Sequence, residues 1–497
     1  MKSPYRTATT VAVVCLMSLG MMTLSASAWG APPAPGFHSP TPLVDEISPT
    51  AARLGGGGFI LTLRGAGFRQ GAEIGWQVGA TTRRLAAFVC SPSEIVTWIP
   101  YSLVTKAATA TVTVINPDEP PLVGKSNPVF LPITVPTAGL AFSEKNITLG
   151  EGPDAIVTAD FNGDGKPDLA VSEPCGGDLT CSTYHGNVAI LLGKGDGNFQ
   201  IAPSQAVDQY PGALAVGDFN GDGKPDLAVL TYVGATVVIL LGKGDGTFTA
   251  APLSPTVGGN PNSIAVGDLN GDGKLDLVVS SYNTLSVLLG KGDGSFTAIA
   301  PPTVGSAPGG VFLVDLNRDG KLDLVLGNGT SPYVSILLGH GNGTFSAPTS
   351  PAAPTGPVTV MDVNRDGKLD LFFAEGNVPG FAQTTISVAL GEGNGQFTPG
   401  PTSPVVDNGI GGGLLADLNG DGKLDYAATG GYPNDVYEFF LGDGHGTFNL
   451  TTTFDVSHIG SGPSVAADFN ADGRLDLATL NETNNGTVSI LLQVPAP

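Results

Sequence analysis

Residues 160–171 read DFNGDGKPDLAV, where three aspartates, one asparagine and two glycines occupy nine positions before an apolar run begins. Six further copies of this motif begin at Asp218, Asp268, Asp315, Asp362, Asp417 and Asp468. We number the copies loop 1 to loop 7 in chain order. Self-similarity at a period near 50 residues predicts a repeat architecture.

A second signature follows each of the first six copies. It reads LLGKGDGNF from Leu191 and LLGKGDGTF from Leu240, and its equivalents end at Phe296, Phe345, Phe397 and Phe448. Within the second repeat the pattern predicts strand A over 212–219, strand B over 227–232, strand C over 235–242 and strand D over 247–257. A hairpin turn at 243–246 joins the last two strands. Four strands per repeat are typical of the blades of a β-propeller.

The two ends of the repeat array together supply the four strands of the seventh repeat. The seventh repeat stops after GTVSILLQVPAP, so it has strand C but no strand D. Residues 140–149, ahead of loop 1, resemble the strand D segments of the other repeats. We therefore predict an all-β fold: a seven-bladed β-propeller closed by an N-terminal strand, with no free sheet edge, preceded by a small immunoglobulin-like β-sandwich.

Two families share these sequence features. Residues 139–493 resemble the FG-GAP/VCBS repeats of integrin-like propellers, through the seven copies of the aspartate motif. Residues 40–136 read as short alternating strands and resemble IPT/TIG immunoglobulin-like domains, through ISPTAARLGGGGFILTLRGAGF, IGWQVG and ATATVTVINP. The second resemblance implies a spacer or protein-contact domain. The first implies that a ligand binds the propeller face away from the metal loops.

The N-terminus and the composition indicate the compartment. Residues 1–28 have a basic start, an apolar core and an Ala-Ser-Ala end, which predicts a signal peptide, and an uncleaved N-terminal anchor is the alternative. Residues 29–39 form a Pro-rich linker. No other segment has about 18 consecutive apolar residues, so we expect no membrane span in the mature chain. The protein is expected to be secreted or extracytoplasmic, including attachment to the cell surface, and to be a monomer.

A net charge of −22 argues against nucleic acid as a partner.

The repeated motif has the composition of a calcium loop. Positions 1, 3, 5 and 9 carry oxygen side chains, the glycine at position 6 permits a sharp turn, and the carbonyl group of position 7 is a further ligand. Hard oxygen donors without thiolate or imidazole favour Ca²⁺, and Mg²⁺ is the weaker alternative. An EF-hand is excluded because position 12 of loop 1 is Val171 and the flanking segments are β-rich. The remaining alternative is that Asp, Asn and Gly only build tight turns.

Up to seven structural Ca²⁺ ions are therefore expected, which would offset most of the acidic charge. The predicted ligands, five per loop, are Asp160, Asn162, Asp164, Lys166 and Asp168; Asp218, Asn220, Asp222, Lys224 and Asp226; Asp268, Asn270, Asp272, Lys274 and Asp276; Asp315, Asn317, Asp319, Lys321 and Asp323; Asp362, Asn364, Asp366, Lys368 and Asp370; Asp417, Asn419, Asp421, Lys423 and Asp425; Asp468, Asn470, Asp472, Arg474 and Asp476.

Antiparallel blades place the A–B loops and C–D hairpins on one face, which we call the motif face. The B–C and D–A loops lie on the opposite face, where binding residues are expected because loops on a rigid scaffold carry variable chemistry. Cys175 and Cys181 lie six residues apart in one such loop, and a disulfide between them is predicted. The candidate ligand-binding residues are Tyr184, His185, Tyr232, Tyr282, Tyr333 and Tyr432. Ordinary packing of these side chains within their loops is the alternative.

No catalytic constellation is visible in the sequence. The five histidines do not recur at ligand spacing, and neither a G-x-S-x-G motif nor a Cys/His pair of catalytic type occurs. We therefore expect a non-enzymatic calcium-binding module that adheres to an extracellular protein or glycan. A polysaccharide lyase or hydrolase is the first alternative, and a purely structural surface component is the second.

Overall fold

A computed structural model describes most of the chain. The residues that it describes are 42–79, 81–117, 125–150, 152–175, 185–208, 210–304, 308–329, 333–351, 358–374, 384–406, 410–430, 436–456, 462–481 and 486–495. The predicted signal peptide and the Pro-rich linker lie outside these residues. The described part is built from strands, with a single 3₁₀ turn at Tyr101–Leu103.

The N-terminal part of the described chain is an eight-stranded sheet, which we call the N-terminal domain. Its strands are β1 (Leu43–Ser48), β2 (Ala52–Arg53), β3 (Phe59–Ala66), β4 (Glu73–Val78), β5 (Thr81–Ser91), β6 (Glu94–Ile99), β7 (Ala108–Ile115) and β8 (Val129–Thr134). The strand order is β1-β3-β6-β5-β4-β7-β8-β2. Strand β5 pairs with β4 through its first half and with β6 through its second half. One apolar core that includes Leu63, Trp76 and Ile95 packs inside this domain.

Seven further sheets, which we number blade 1 to blade 7, form the propeller. Their strands are β10 (Ile156–Ala159), β11 (Asp168–Glu173), β12 (His185–Gly193), β13 (Phe199–Ile201) and β14 (Gln205–Asp208) in blade 1; β15 (Pro211–Gly217), β16 (Asp226–Thr231), β17 (Thr236–Gly242) and β18 (Phe248–Ala250) in blade 2; β19 (Pro261–Gly267), β20 (Asp276–Ser281), β21 (Thr284–Gly290) and β22 (Phe296–Ile299) in blade 3; β23 (Pro308–Val314), β24 (Asp323–Asn328) and β25 (Val334–Leu337) in blade 4; β26 (Val358–Met361), β27 (Asp370–Ala374), β28 (Thr384–Gly391) and β29 (Phe397–Val406) in blade 5; β30 (Ile410–Ala416), β31 (Asp425–Gly430), β32 (Val436–Gly442) and β33 (Phe448–Asp455) in blade 6; β34 (Ser464–Ala467), β35 (Asp476–Asn481), β36 (Thr487–Val494) and β9 (Ala141–Thr148) in blade 7. The predicted seven-bladed all-β propeller is confirmed.

Blade 7 takes its outer strand from the segment that precedes blade 1. All eight residues of β9 pair antiparallel with β36. Blade 7 also packs directly on blade 1, because Leu169 and Val171 share an apolar cluster with Phe469 and Leu480. The N–H group of Gly197 in blade 1 donates to the carbonyl oxygen of Phe469 at 2.9 Å. The first and last blades are therefore neighbours.

The second strand of each blade is the best protected. Every residue of β11, β16, β20, β24, β27 and β35 is buried. The neighbouring blades cover both faces of these strands, so the strands read as continuous apolar runs rather than alternating ones. This packing holds the loops at the strand ends in fixed positions. In the described ranges no helix is long and apolar enough to cross a membrane.

The fourth strand of blade 2 is shorter than predicted. In blade 2, β18 covers only 248–250 of the predicted 247–257. Pro252 and Pro255 lack an N–H group, so the ladder breaks there, and the chain continues beside strand C through single hydrogen bonds such as Val257 N–H to the Ala235 carbonyl at 2.8 Å. In blade 4 the described residues contain only isolated bridges, at Phe345 and Thr349, in place of this strand.

Candidate metal loops and the opposite face

Each aspartate motif forms the loop between strands A and B of its blade, as the strand bounds show. In loop 1 the backbone turns sharply at Gly163 and Gly165, which have φ values of 74° and 82°. Arg318 and Arg365 occupy position 4 of loops 4 and 5 with φ values of 60° and 63°, a region that is costly for a residue with a side chain. This geometry turns the polar side chains of the loop back towards its own backbone.

The side chains at positions 1, 3 and 5 accept hydrogen bonds from backbone N–H groups inside the loop. In loop 1, Asp160 accepts from Asp164 N–H at 3.0 Å and from Gly165 N–H at 2.8 Å. Asn162 accepts from Asp164 N–H at 2.9 Å. Asp164 accepts from Lys166 N–H at 3.0 Å and pairs with the ammonium group of Lys166 at 2.9 Å. In the other loops the position 5 carboxylate likewise lies 2.9–3.8 Å from the position 7 cation. The backbone donors to position 1 differ in two loops: Gly271 N–H donates to Asp268 in loop 3, and Asp417 in loop 6 accepts from Gly422 N–H through Oδ2.

The position 9 aspartates have a different role from the other three. Each carboxylate is fully buried and uses both oxygens as hydrogen-bond acceptors. One oxygen accepts from the N–H group of position 2 at 2.9–3.1 Å. The other accepts from an N–H group at or near the end of strand C at 2.7–3.0 Å. Position 9 therefore ties the loop to the end of strand C. The residues are Asp168, Asp226, Asp276, Asp323, Asp370, Asp425 and Asp476.

The glycine of the LLG signature is explained by the same contact. In blade 2, Gly242 donates its N–H to Asp226, and a Cβ atom on Gly242 would lie less than 3.0 Å from the carbonyl oxygen of Pro225. The equivalent glycines of blades 1, 3, 4, 5 and 6 face the position 8 carbonyl in the same way. In blade 7 the donor is Gln493. The two sequence signatures are thus two halves of one structural contact.

Burial strongly perturbs the carboxylates of these loops. It raises the pKa of the position 9 aspartates to about 7, and that of Asp476 to about 8, against an ordinary 3.8. The neighbouring carboxylates of positions 1 and 5 raise the pKa further, while the backbone N–H donors oppose the shift. Burial also raises the pKa of Asp417, at position 1 of loop 6, to about 7. The backbone N–H groups and the position 7 cation of each loop therefore do not fully compensate the negative charge of its carboxylates.

The loops contain the oxygen donor atoms that a hard divalent cation prefers. In the described structure, however, these atoms do not form a coordination site. Among the described residues, no three Asp, Glu, His or Cys side chains are grouped so that they could hold a metal ion. The Oδ1 atom of Asp417 is buried and has no hydrogen-bond partner. Such an oxygen is costly unless a donor or cation reaches it. The residues fit an oxygen-coordinated cation, provided that side chains turn from backbone N–H groups towards it.

The N-terminal domain packs on the motif face of the propeller. Ser93 donates its hydroxyl to Asp315 at 2.7 Å, and Thr109 donates to Asp468. A cavity of about 300 Å³ lies beside Ser93, between the N-terminal domain and loops 3 and 4. Two position 1 carboxylates therefore have a hydroxyl donor from another domain.

Three of the candidate tyrosines, Tyr232, Tyr282 and Tyr333, are described, and each lies between strands B and C of its blade. Tyr282 is 63 % exposed, and Tyr232 is half-buried beside Asp154 and Tyr210. Tyr333 is partly buried and its carbonyl oxygen accepts the N–H group of Asn328. Tyr184, Tyr432 and Cys181 lie outside the described residues, and only the backbone of His185 is described, within β12. Cys175 is disulfide-bonded, and its pairing with Cys181 stays a prediction.

Comparisons with known proteins agree on the repeat. The FG-GAP-like repeat family matches residues 177–229, 218–279, 268–326, 315–373, 362–428 and 417–479. The FG-GAP repeat family matches residues 152–191. Together these matches cover all seven aspartate loops and more than half of the chain.

Individual relatives match less of the chain. Phosphatidylinositol-glycan-specific phospholipase D from Bos taurus and from Rattus norvegicus are each 36 % identical over 86 residues, which is 16 % of this chain and 10 % of the relative. A lectin from Agrocybe aegerita, solved for its recognition of non-reducing terminal N-acetylglucosamine, is 16 % identical with a TM-score of 0.44, covering 79 % of this chain and 96 % of its own. A Lactobacillus plantarum protein is 13 % identical with a TM-score of 0.43, covering 71 % and 96 %.

Proposed function

Because the chain belongs to the FG-GAP repeat family, we propose that it is a calcium-stabilised binding module that attaches to an extracellular protein or glycan. On this proposal the chain is secreted, the ions are structural, and no chemical reaction is catalysed. The ring is closed by β9, and the N-terminal domain is an IPT/TIG-like immunoglobulin domain. The sharing of β5 between two sets of strands around one core supports that last assignment.

The buried, unpartnered Oδ1 atom of Asp417 carries the calcium part of the proposal. It belongs to a loop with three carboxylates and one lysine, and burial raises the pKa of two of the three, Asp417 and Asp425, to about 7. A bound cation would satisfy the oxygen and stabilise the charged form of both carboxylates. In a loop that binds calcium, the side chains of positions 1, 3 and 5 and the carbonyl group of position 7 would hold the ion. Position 9 would contribute its charge while keeping its two backbone hydrogen bonds.

The coverage of the motif face supports the opposite face as the place where a partner binds. The N-terminal domain contacts loops 4 and 7 through Ser93 and Thr109, so part of the motif face is already buried. On the opposite face Tyr282 and Val233 are 63 % and 60 % exposed, in the B–C loops of neighbouring blades. Exposed aromatic and aliphatic side chains on a rigid scaffold are typical of interaction sites for proteins and sugars.

Calorimetric Ca²⁺ titration of the chelated full chain tests the calcium part. We expect saturable binding at several sites, with affinities in the range of about 10⁻⁴ to 10⁻³ M that is typical of extracellular calcium modules. Asp417→Asn should remove one site, whereas Asp443→Asn, an exposed hairpin aspartate in the same blade, should leave the number of sites unchanged. No binding heat and no change on substitution would contradict the proposal.

Glycan and protein arrays probed with the full chain test the partner. The Tyr282→Ala variant should lose array binding while its melting temperature stays unchanged, because the side chain is mostly in solvent. A Leu253→Ala variant is the matched control, since Leu253 is 68 % exposed and belongs to the outer strand segment of blade 2. Equal loss in both variants, or in neither, would count against the opposite face as the binding surface.

A further inference from the structure

Loop 5 has an arginine from the N-terminal domain packed against it. The side chain of Arg64, on β3, is 18 % exposed. Its Nη1 atom donates to Glu46 at 3.0 Å, and its Nε atom donates to Glu94 at 3.4 Å. Its Nη2 atom donates to the carbonyl oxygen of Gly367 at 3.0 Å. Gly367 is position 6 of loop 5.

This contact brings the guanidinium charge to the position 1 carboxylate of loop 5. The N–H group of Gly367 donates to Asp362 at 2.9 Å, while its carbonyl oxygen accepts from Arg64. Burial raises the pKa of Asp362 to about 6, the charge of Arg64 opposes this rise, and the charge of Glu46 adds to it. Arg318 of loop 4 also donates to the Gly367 carbonyl oxygen. Two guanidinium groups therefore converge on the turn of loop 5.

The N-terminal domain places uncharged donors at two other loops, and the guanidinium group of Arg365 lies near the equivalent glycine, Gly422, in loop 6. In loops 4 and 7 the N-terminal domain supplies hydroxyl donors, Ser93 and Thr109, to the position 1 carboxylate. In loops 1, 2, 3 and 6 the interactions that stabilise this carboxylate are backbone N–H donors of the loop itself. A hydroxyl group can donate to a carboxylate and still leave room for a cation, because it carries no net charge. A guanidinium group repels a second cation at the same place.

Arg64 is also held so that it cannot move aside at low cost. If it left loop 5, Glu46 and Glu94 would lose the cation that pairs with both, and their side chains are only 17 % and 14 % exposed. Removing one partner of a buried ion network leaves uncompensated charges, which is strongly unfavourable. The arginine is therefore a fixed part of the interface rather than a mobile surface residue.

We propose that Arg64 is the built-in cation of loop 5, so that this loop excludes Ca²⁺ while the N-terminal domain is docked on the motif face. The inference rests on the proposed calcium binding of the other loops. It makes loop 5 the anchor of the N-terminal domain rather than a metal site. By thermodynamic linkage, Ca²⁺ binding at loop 5 and docking of the N-terminal domain at this point oppose each other.

Native mass spectrometry of the full chain in saturating Ca²⁺ counts the bound ions. All variants are compared in an Arg318→Gly background, which removes the second guanidinium from Gly367 and restores the glycine that loops 1, 2, 3 and 6 have at position 4. In this background we expect Arg64→Met to bind one more ion, since Met keeps the apolar stem and removes the charge. Arg84→Met is the matched control, because Arg84 lies on the same domain in an exposed pair with Glu73 at 3.1 Å. It should leave the ion count unchanged. The double variant Arg64→Met, Asp362→Asn should return to the original count, which assigns the extra ion to loop 5.

The possible results separate this inference from the calcium proposal. If neither the unsubstituted chain nor any of the variants binds Ca²⁺, the proposed calcium binding is wrong, and this inference is wrong with it. If the chain binds ions but Arg64→Met adds none, only the role of Arg64 is overturned. The same conclusion follows if the extra ion survives Asp362→Asn. Should Arg64→Met not fold, the variant Arg64→Gln, Glu46→Gln, Glu94→Gln neutralises the whole buried set and should also bind one extra ion.

Discussion

Substitution of Asp226 tests whether position 9 holds the blade together. Its carboxylate is fully buried and accepts the N–H groups of Phe219 at 2.9 Å and Gly242 at 2.7 Å. Asp226→Ala leaves both buried donors without a partner, and each unpaired group costs about 1–3 kcal/mol, so the loss is roughly 2–6 kcal/mol. Burial also penalises the carboxylate itself, as its raised pKa of about 7 indicates. We therefore expect the lower part of that range, about 2–4 kcal/mol of unfolding free energy.

Asp245→Ala in the same blade is the matched control. Asp245 also accepts two hydrogen bonds, from the N–H group of Thr247 at 2.9 Å and from the hydroxyl group of Thr247 at 2.6 Å. Unlike Asp226, however, Asp245 is fully exposed. Water can replace those bonds, so the variant should melt close to the unsubstituted chain. The two variants are compared by calorimetry in EDTA, where bound metal makes no contribution. Equal melting temperatures for the two variants would refute the assignment of position 9 as a buried structural link.

Two further predictions follow from the same loops. Gly242→Ala should destabilise the protein because its Cβ atom would lie less than 3.0 Å from the Pro225 carbonyl oxygen, whereas Gly259→Ala, which has open space around it, should not; thermal unfolding in EDTA measures both. The chelated protein should lose stability as the pH rises from about 4 to about 8 and change little above that. The reason is that the folded state binds more protons than the unfolded state wherever a carboxyl pKa is raised on folding. Melting temperatures across that interval that are constant or rise with pH would contradict the raised pKa values of the position 9 aspartates.

The repeat itself made the propeller predictable from sequence. Seven copies of one motif set the blade count, and the strand flanks excluded helices. The length of the outer strand of blade 2 was not predicted correctly, because Pro252 and Pro255 interrupt the ladder while the chain still runs beside strand C. The two prolines are visible in the sequence and predict a break in the ladder, but the predicted strand D did not take them into account.

The docking of the N-terminal domain could not be predicted from either motif. Ser93 and Asp315 are 222 residues apart in sequence, and Thr109 and Asp468 are 359 apart. No local pattern marks an isolated hydroxyl as the partner of a distant carboxylate.

The buried role of position 9 had a signal that could have been used, since a glycine whose Cβ would clash recurs at the end of strand C in six blades. The ligand roles assigned to the loop residues remain predictions.

Calorimetric melting of the full chain in EDTA, in Mg²⁺ and in Ca²⁺ is the most direct test of calcium stabilisation. A site that is saturated a hundredfold above its dissociation constant adds about 2.7 kcal/mol to the unfolding free energy, and several loops should add together. We predict a melting temperature that rises with Ca²⁺ concentration and responds less to Mg²⁺. The same melting temperature in EDTA and in saturating Ca²⁺ would contradict the account.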